Sequence, residues 1–242
     1  MLIKYLSLVF MLILTITLIS CDQQTGDNAL SAKEKEDGWQ LLFDGKTTNG
    51  WHLYNGTKQA PMVWIVEDGA LVCSPRPGVE RGDLATDKSF ENFELKFDWK
   101  MAADGNSGVF LNVLERADIP TAWASGPEYQ LLGAAHHDYD KELKRAGCLY
   151  GFQPQLTPVD VVPPDQWNNG VIKQQNGKVE FYLNGKITAR EDFTTQQWRD
   201  TVANTGFKGF PEFGKYTSGK IALQDWNKGV AFKNIKIKSC RY

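Results

Sequence analysis

Apolar and polar side chains alternate along this chain, and the alternation is cut at short intervals by Asn-Gly and Asp-Gly. Phe93, Leu95, Phe97 and Trp99 alternate with Glu94, Lys96, Asp98 and Lys100. A period of two sends the rings to one face of a strand and the charges to the other. Val179, Phe181 and Leu183 repeat the pattern against Lys178, Glu180 and Tyr182. Asn176-Gly177 separates 171–175 from 178–183, Asp68-Gly69 separates 63–67 from 70–74, and Asn184-Gly185 closes another turn. These dipeptides accept the positive φ values of tight hairpins. Ile221 and Leu223, then Phe232, Ile235 and Ile237, give two more strands, and the slip in phase before Ile235 predicts a bulge near Asn234. Helical periodicity is confined to 138–144 and 195–203. Serial short strands without βαβ alternation predict an all-β antiparallel fold, a two-sheet jelly-roll sandwich in preference to a barrel. The first strand (39–43) and the last (230–238) are expected to lie close together.

Composition narrows the function classes. With 42% hydrophobic and 12% aromatic residues, eight Trp among them, the 242-residue chain can build a large core, which excludes disorder. Its 27 basic and 29 acidic side chains nearly cancel, which argues against a nucleic-acid partner.

The N-terminus reads as an address. Lys4 is the sole charge before Cys21, and the stretch from Tyr5 to Ile19 is almost wholly apolar. This is the layout of a secretory signal, and it is short for a membrane span. Leu18-Ile19-Ser20-Cys21 resembles the bacterial lipobox, in which the Cys becomes the lipidated first residue. The expectation is a signal peptide over 1–20, lipidated Cys21 with a flexible polar tether over 21–36, and a single domain over 37–240. The protein would then sit in the cell envelope, on a periplasmic or outer-membrane face, touching the membrane through its lipid alone. Cys73, Cys148 and Cys240 remain; an odd number permits at most one disulfide, and three thiols are expected. No Cys/His spacing points to zinc.

An ordered set of segments carries a family resemblance. It opens with Gly38-Trp39-Gln40-Leu41-Leu42-Phe43-Asp44-Gly45-Lys46 and Gly50-Trp51. Phe93-Glu94-Leu95-Lys96-Phe97-Asp98-Trp99, Gly105-Asn106-Ser107-Gly108-Val109-Phe110-Leu111 and Glu128-Tyr129-Gln130-Leu131-Leu132 follow. Then come Gly147-Cys148-Leu149-Tyr150-Gly151, Trp167-Asn168, Leu183-Asn184-Gly185, Ile221-Ala222-Leu223-Gln224 and Phe232-Lys233-Asn234-Ile235-Lys236-Ile237. Together, over about 37–238, they resemble the 3-keto-disaccharide hydrolase domain family, long known only as a domain of unknown function. The resemblance implies a concanavalin A-like sandwich, often carried by lipoproteins, acting on glycosides whose 3-hydroxyl has been oxidised to a ketone. It also implies an upstream sugar 3-oxidoreductase to make that ketone. The ketone acidifies the C2 proton, so a base can form an enolate and the C1–O bond can break by elimination before water adds. Such a site needs a general base, an enolate stabiliser and an acid for the leaving oxygen.

Retaining hydrolases of the concanavalin A-like fold resemble one another in a Glu-x-Asp-x-x-Glu run; Glu128-Tyr129-Gln130-Leu131-Leu132-Gly133 keeps one of its carboxylates. An ordinary two-carboxylate mechanism is therefore disfavoured. Glu128 is the expected base, or a metal ligand for the enolate, and shares a strand face with Gln130. His136 and His137 lie in a polar loop with Asp138 and Asp140, and extended backbone would aim only one of them at a site; His137 is the chosen one. No cofactor is required by the sequence, while Glu128, one His and Asp138 leave a divalent metal possible. Asn106, Gln130, Tyr150, Lys173, Gln224 and Trp226 are the expected substrate-binding residues, with Trp123 a further stacking candidate. The Gly- and aromatic-rich stretch 205–219 reads as an ordered loop at the site rim. The competing function is a carbohydrate-binding module of the same fold, which would use the aromatics and need no base.

Overall fold

In the computed structural model, which describes residues 26–56, 61–226 and 228–240, the period-two segments become two antiparallel sheets packed face to face. The signal peptide and Cys21 lie outside the described residues. In chain order the strands are Trp39–Leu41 (β1), Trp51–Leu53 (β2), Trp64–Glu67 (β3), Ala70–Cys73 (β4), Leu84–Thr86 (β5), Phe93–Met101 (β6) and Asn106–Val113 (β7). Glu128–Leu132 (β8), Asn168–Gln175 (β9), Lys178–Leu183 (β10), Lys186–Asp192 (β11), Lys220–Leu223 (β12) and Val230–Ser239 (β13) complete them. The larger sheet runs β11-β10-β9-β6-β13-β4-β3, with β1 also paired to β13; the smaller runs β2-β5-β12-β7-β8. This is the expected jelly-roll sandwich of concanavalin A-like type.

The turn chemistry is as the dipeptides demand. Asn176 and Gly177 have φ of 49° and 75°, Asp68 and Gly69 48° and 73°, Asn184 and Gly185 48° and 79°. Two successive positive φ values match the right-handed twist of the flanking strands. The bulge falls where the phase slips: the β13–β6 register shifts between Lys233 and Lys236, and Asn234 takes φ 53°. Trp39 pairs with Lys238, which brings the first and last strands together.

The core lies between the sheets. β6 sends Phe93, Leu95, Phe97 and Trp99 inward, and the smaller sheet answers with Val109, Leu111, Tyr129 and Leu131. Tyr129 meets Phe97 edge-on at 5.5 Å and Phe181 at 5.2 Å, and its hydroxyl donates to the Tyr182 carbonyl at 2.9 Å. Cys73, Cys148 and Cys240 are free thiols, as expected.

Two expectations are corrected. Residues 138–144 form turns ending in a 3₁₀ turn at Glu142–Lys144, not a helix, because the segment is too short to repay nucleation and Lys141 and Lys144 both reach back to Asp138. The described part of the expected tether is docked on β13 instead of free. Asn28 and Asn234 exchange backbone-to-side-chain hydrogen bonds at 2.6 and 2.9 Å, and Asn28 Nδ2 donates to the Gly69 carbonyl at 2.8 Å. Asp27 pairs with Lys233, and Glu34, in the short helix Ala32–Glu36 (α1), pairs with Lys236. The second helix, Gln196–Ala203 (α2), begins as expected, with the Thr195 hydroxyl accepting from the Trp198 N–H.

The N-terminal clamp is thereby predicted to be part of the folded unit. Asn28→Ala removes side-chain bonds to β13 and to the turn between β3 and β4, and leaves the Asn234 N–H without its acceptor; urea denaturation should read a loss of about 1–2 kcal/mol.

Candidate active site

On the smaller sheet, alternation that buries Tyr129 and Leu131 turns Glu128 and Gln130 to the opposite, outer face. Gly108 pairs with Gln130 and Phe110 with Glu128, and the Gln224 N–H donates to the Gly108 carbonyl at 2.9 Å. Glycine at 108 is a packing requirement: a Cβ there would collide with the Glu128 carboxylate, which lies over it. Gln130, with its amide oriented by its neighbours, donates to Glu128 Oε1 at 2.8 Å and to the Ser107 carbonyl at 3.1 Å. Gln224 Oε1 is buried without a partner among the described residues. Together with Asn106, these groups form the polar floor of a cleft of about 810 Å³.

The walls differ in character. Trp123, Phe207 and Trp226 are aromatic, and Trp226 is 46% exposed. The rim loop at 205–219 is ordered by a stack: Phe207 lies 4.1 Å from Phe213 and 5.2 Å from Phe152 between ring centroids, and Trp198 Nε1 donates to the Gly214 carbonyl. His136, His137, Asp138, Lys144 and Tyr150 also line the cleft, as do Asp104 and its ion-pair partner Lys228.

Among these charges Glu128 stands apart. It is 8% exposed, and burial, with the nearby Asp83 carboxylate adding to it, holds its carboxyl well above the usual range. No cation offsets that shift. Asp83 is itself raised to about 6 by burial, while accepting from the Asp225 N–H at 3.0 Å and the Thr121 hydroxyl at 3.2 Å. Asp225 is paired instead: Arg81 donates to both its oxygens at 2.6 and 2.7 Å. A buried carboxylate that loses water and gains no cation is a strong base, and strong bases of this kind concentrate at functional sites.

Both histidines reach the cleft, not one. Residues 134–140 turn instead of extending, so the two rings stack at 4.2 Å on the same side. His136 Nδ1 accepts from the Asp138 N–H at 3.1 Å, which leaves the proton of the neutral ring on Nε2; burial, then His137, keeps that ring below its usual pKa. The His137 side chain is 81% exposed. His136, His137 and Asp138 present donor atoms within 4.8 Å of one another. Asp138 is already held by Lys141 at 2.5 Å and Lys144 at 2.7 Å, so a divalent cation would meet two ammonium groups at its one anionic ligand. This cluster does not suit such an ion.

Seven of the expected residues therefore converge: Glu128, His137, Asn106, Gln130, Tyr150, Gln224 and Trp226 line one cleft. Lys173 does not. It lies on β9 of the larger sheet, on the face away from the core, 3.9 Å from the Glu94 carboxylate and 5.3 Å from the Tyr182 ring. Strand alternation sends it outward, but only the sheet order shows that this face is not the cleft. Sequence reasoning passed over Asp83, Asp225 and Lys144. Asp225 stands between Gln224 and Trp226 and could have been found there; Asp83 follows Gly82 just before β5 and carries no local signal.

The chain is similar to known proteins over most of its length. The model of the 3-keto-alpha-glucoside-1,2-lyase-like domain matches residues 38–238. A 3-keto-disaccharide hydrolase of Bacteroides thetaiotaomicron is 31% identical over 230 residues, covering 84% of this chain and 78% of the relative. A protein from Parabacteroides distasonis, provisionally assigned as a glycosyl hydrolase, superposes with a TM-score of 0.81 at 33% identity, over 89% of this chain and 100% of that one. A second from the same organism, assigned likewise, gives 0.63 at 25% identity over 84% and 99%.

The elevated Glu128 carboxyl fixes the sign of a pH effect on stability. The folded state keeps this proton to higher pH than the unfolded chain, so stability falls as pH rises from the ordinary carboxylate range through the folded value. Glu128→Gln is expected to remove this part of the decline. Denaturation across pH should find the variant more stable than the parent by on the order of 1 kcal/mol at the alkaline end, with the two converging in acid.

Proposed function

The chain belongs to the 3-keto-alpha-glucoside-1,2-lyase-like domain family, and from that membership we propose that it cleaves 3-keto-glycosides, 3-keto-disaccharides among them, by elimination and hydration. The observation that carries the chemistry is a single buried carboxylate without a cation at the floor of a polar and aromatic cleft. Glu128 takes the C2 proton, and the electron pair moves onto the C3 oxygen as an enolate. Return of that pair forms the C1=C2 bond and breaks C1–O, and the departing oxygen takes a proton. Water then gives hydroxide to C1 and a proton to C2, and the net change is hydrolysis.

The other cleft residues suit the remaining roles. Tyr150, with Lys144 Nζ 5.7 Å from its ring centroid, is a donor for the enolate oxygen. The neutral His136 ring donates a hydrogen bond to the leaving oxygen through the proton on Nε2, and the proton that oxygen takes comes from solvent water. Asn106, Gln130 and the unpartnered Gln224 Oε1 read hydroxyl groups, and Trp123 and Trp226 stack on sugar faces. The reaction is written without a metal, in keeping with the lysines on Asp138. Its substrate presupposes an oxidoreductase that oxidises the sugar at C3.

The deciding experiment offers the protein a 3-keto-disaccharide and the parent disaccharide in heavy water, with and without chelator. The expected result is cleavage of the keto sugar alone, deuterium at C2, indifference to chelator, and a loss of at least ~10²-fold in kcat for Glu128→Gln. Binding of either sugar without turnover would favour a lectin-like module, and turnover of the parent sugar an ordinary glycosidase.

The N-terminal pattern supports a further proposal, that the mature protein is held at the cell envelope by lipid on Cys21. Cys21→Ala is expected to move the full-length protein from the detergent phase to the aqueous phase on partitioning.

A further inference from the structure

Two separate segments bordering the cleft meet at one buried carboxylate, on a third segment, that the proposed chemistry does not use. Asp83 Oδ1 accepts from the Asp225 N–H at 3.0 Å, and Oδ2 accepts from the Thr121 hydroxyl at 3.2 Å. The Ala122 N–H also reaches it. On one side, Thr121 and Ala122 open the short 3₁₀ turn Ala122–Ala124 that carries Trp123, and the chain then runs through Pro127 into Glu128. On the other side, Asp225 stands between Gln224 and Trp226. Asp83 itself precedes β5. One side chain thus joins the segments that carry Trp123 and Trp226 and the approach to the base.

Its charge matters as well as its bonds. Asp225 is 4% exposed in its side chain and is neutralised by Arg81, with the Gly82 N–H as a further donor. Asp83 has hydrogen bonds and no cation of its own among the described residues. Among the described residues it is the charge that adds to the effect of burial on Glu128. The other ionisable groups around the cleft come from 104, 136–138, 144, 150 and 228; Asp104 is paired with Lys228 and Asp138 with Lys141 and Lys144. Cys148, buried beside Glu128, is a thiol whose own ionisation is suppressed by burial first and Glu128 second.

We propose that Asp83 is the positioning residue of this site: its carboxylate holds the segments that carry Trp123 and Trp226, and the approach to Glu128, in one register. The proposal rests on the reading of Glu128 as the base. Removing the Asp83 charge also makes Glu128 easier to ionise and a weaker base.

The test is the pH dependence of kcat/KM, with kcat and KM resolved, for 3-keto-disaccharide cleavage by the parent, Asp83→Asn and Thr121→Val proteins, each first checked for a cooperative thermal transition. Asp83→Asn is expected to move the acid limb down by about one pH unit, with kcat reduced more than KM is raised. Thr121→Val, which removes one bond to Asp83, is expected to reduce kcat more than it raises KM, by a smaller factor. A folded Asp83→Asn protein whose limb stays put, merely less active at every pH, would overturn the proposal. Should Asp83→Asn not fold, Thr121→Val decides: a selective loss of kcat supports the proposal, and parental kinetics overturn it. Failure of the parent protein to cleave the keto sugar at any pH would instead refute the reading of the site on which the proposal stands.

Discussion

Tyr129 is the bolt on which the site depends. Its ring lies between the sheets against Phe97 and Phe181, and its hydroxyl is tied to the Tyr182 carbonyl, so β8 is fixed to the larger sheet although it is the edge strand of the smaller one. A strand fixed by one residue has its neighbours fixed too, because alternation sends residues 128 and 130 to the other face. A slip of one residue would bury Glu128 in the apolar core and put Tyr129 in the cleft. The hydrophobic effect that holds the sandwich together thereby also sets the position of a polar group that the core itself could not tolerate.

The electrostatic design follows from that placement. Charges around the cleft are matched: Asp138 with Lys141 and Lys144, Asp104 with Lys228, Asp225 with Arg81. Glu128 and Asp83 are the exceptions: Glu128 is supported by a neutral amide from Gln130 and opposed by Asp83. Matched pairs at a surface contribute little to stability. What they do here is leave two buried carboxylates unbalanced, one of them, Glu128, where a proton acceptor is wanted. The cost is a group whose ionisation works against the fold, and the packing of five buried Trp, at 39, 51, 64, 99 and 198, supplies the stability that offsets it.

Order beyond the sheets comes from two devices. Aromatic stacking around Phe152, Phe207, Phe213 and Trp198 gives a glycine-rich rim loop a defined shape. At the opposite sheet, residues 27–36 are clamped to β13 through the Asn28–Asn234 exchange, which uses the backbone groups that the bulge frees. The bulge is thus a binding feature for the chain's own N-terminal segment.

Much of this was readable in the residues. Period-two patterning and the Asn-Gly and Asp-Gly turns determine the strands, the hairpins and the bulge, because side-chain direction and positive φ are local properties of the backbone. Alternation also determines that Glu128 and Gln130 share a face, and the ordered motifs place Asn106, Tyr150, Gln224 and Trp226 in the same family pattern. Only the tertiary structure decides which face becomes a cleft. Lys173 and Gln130 obey the same local rule, yet one meets solvent on the larger sheet and the other the floor of the site, because sheet order is a non-local outcome of packing. The same holds for Asp83, whose partners lie 38 and 142 residues away in sequence. Local chemistry wrote the strands; the meeting of distant segments, driven by burial of the rings between them, chose which charged groups would face one another.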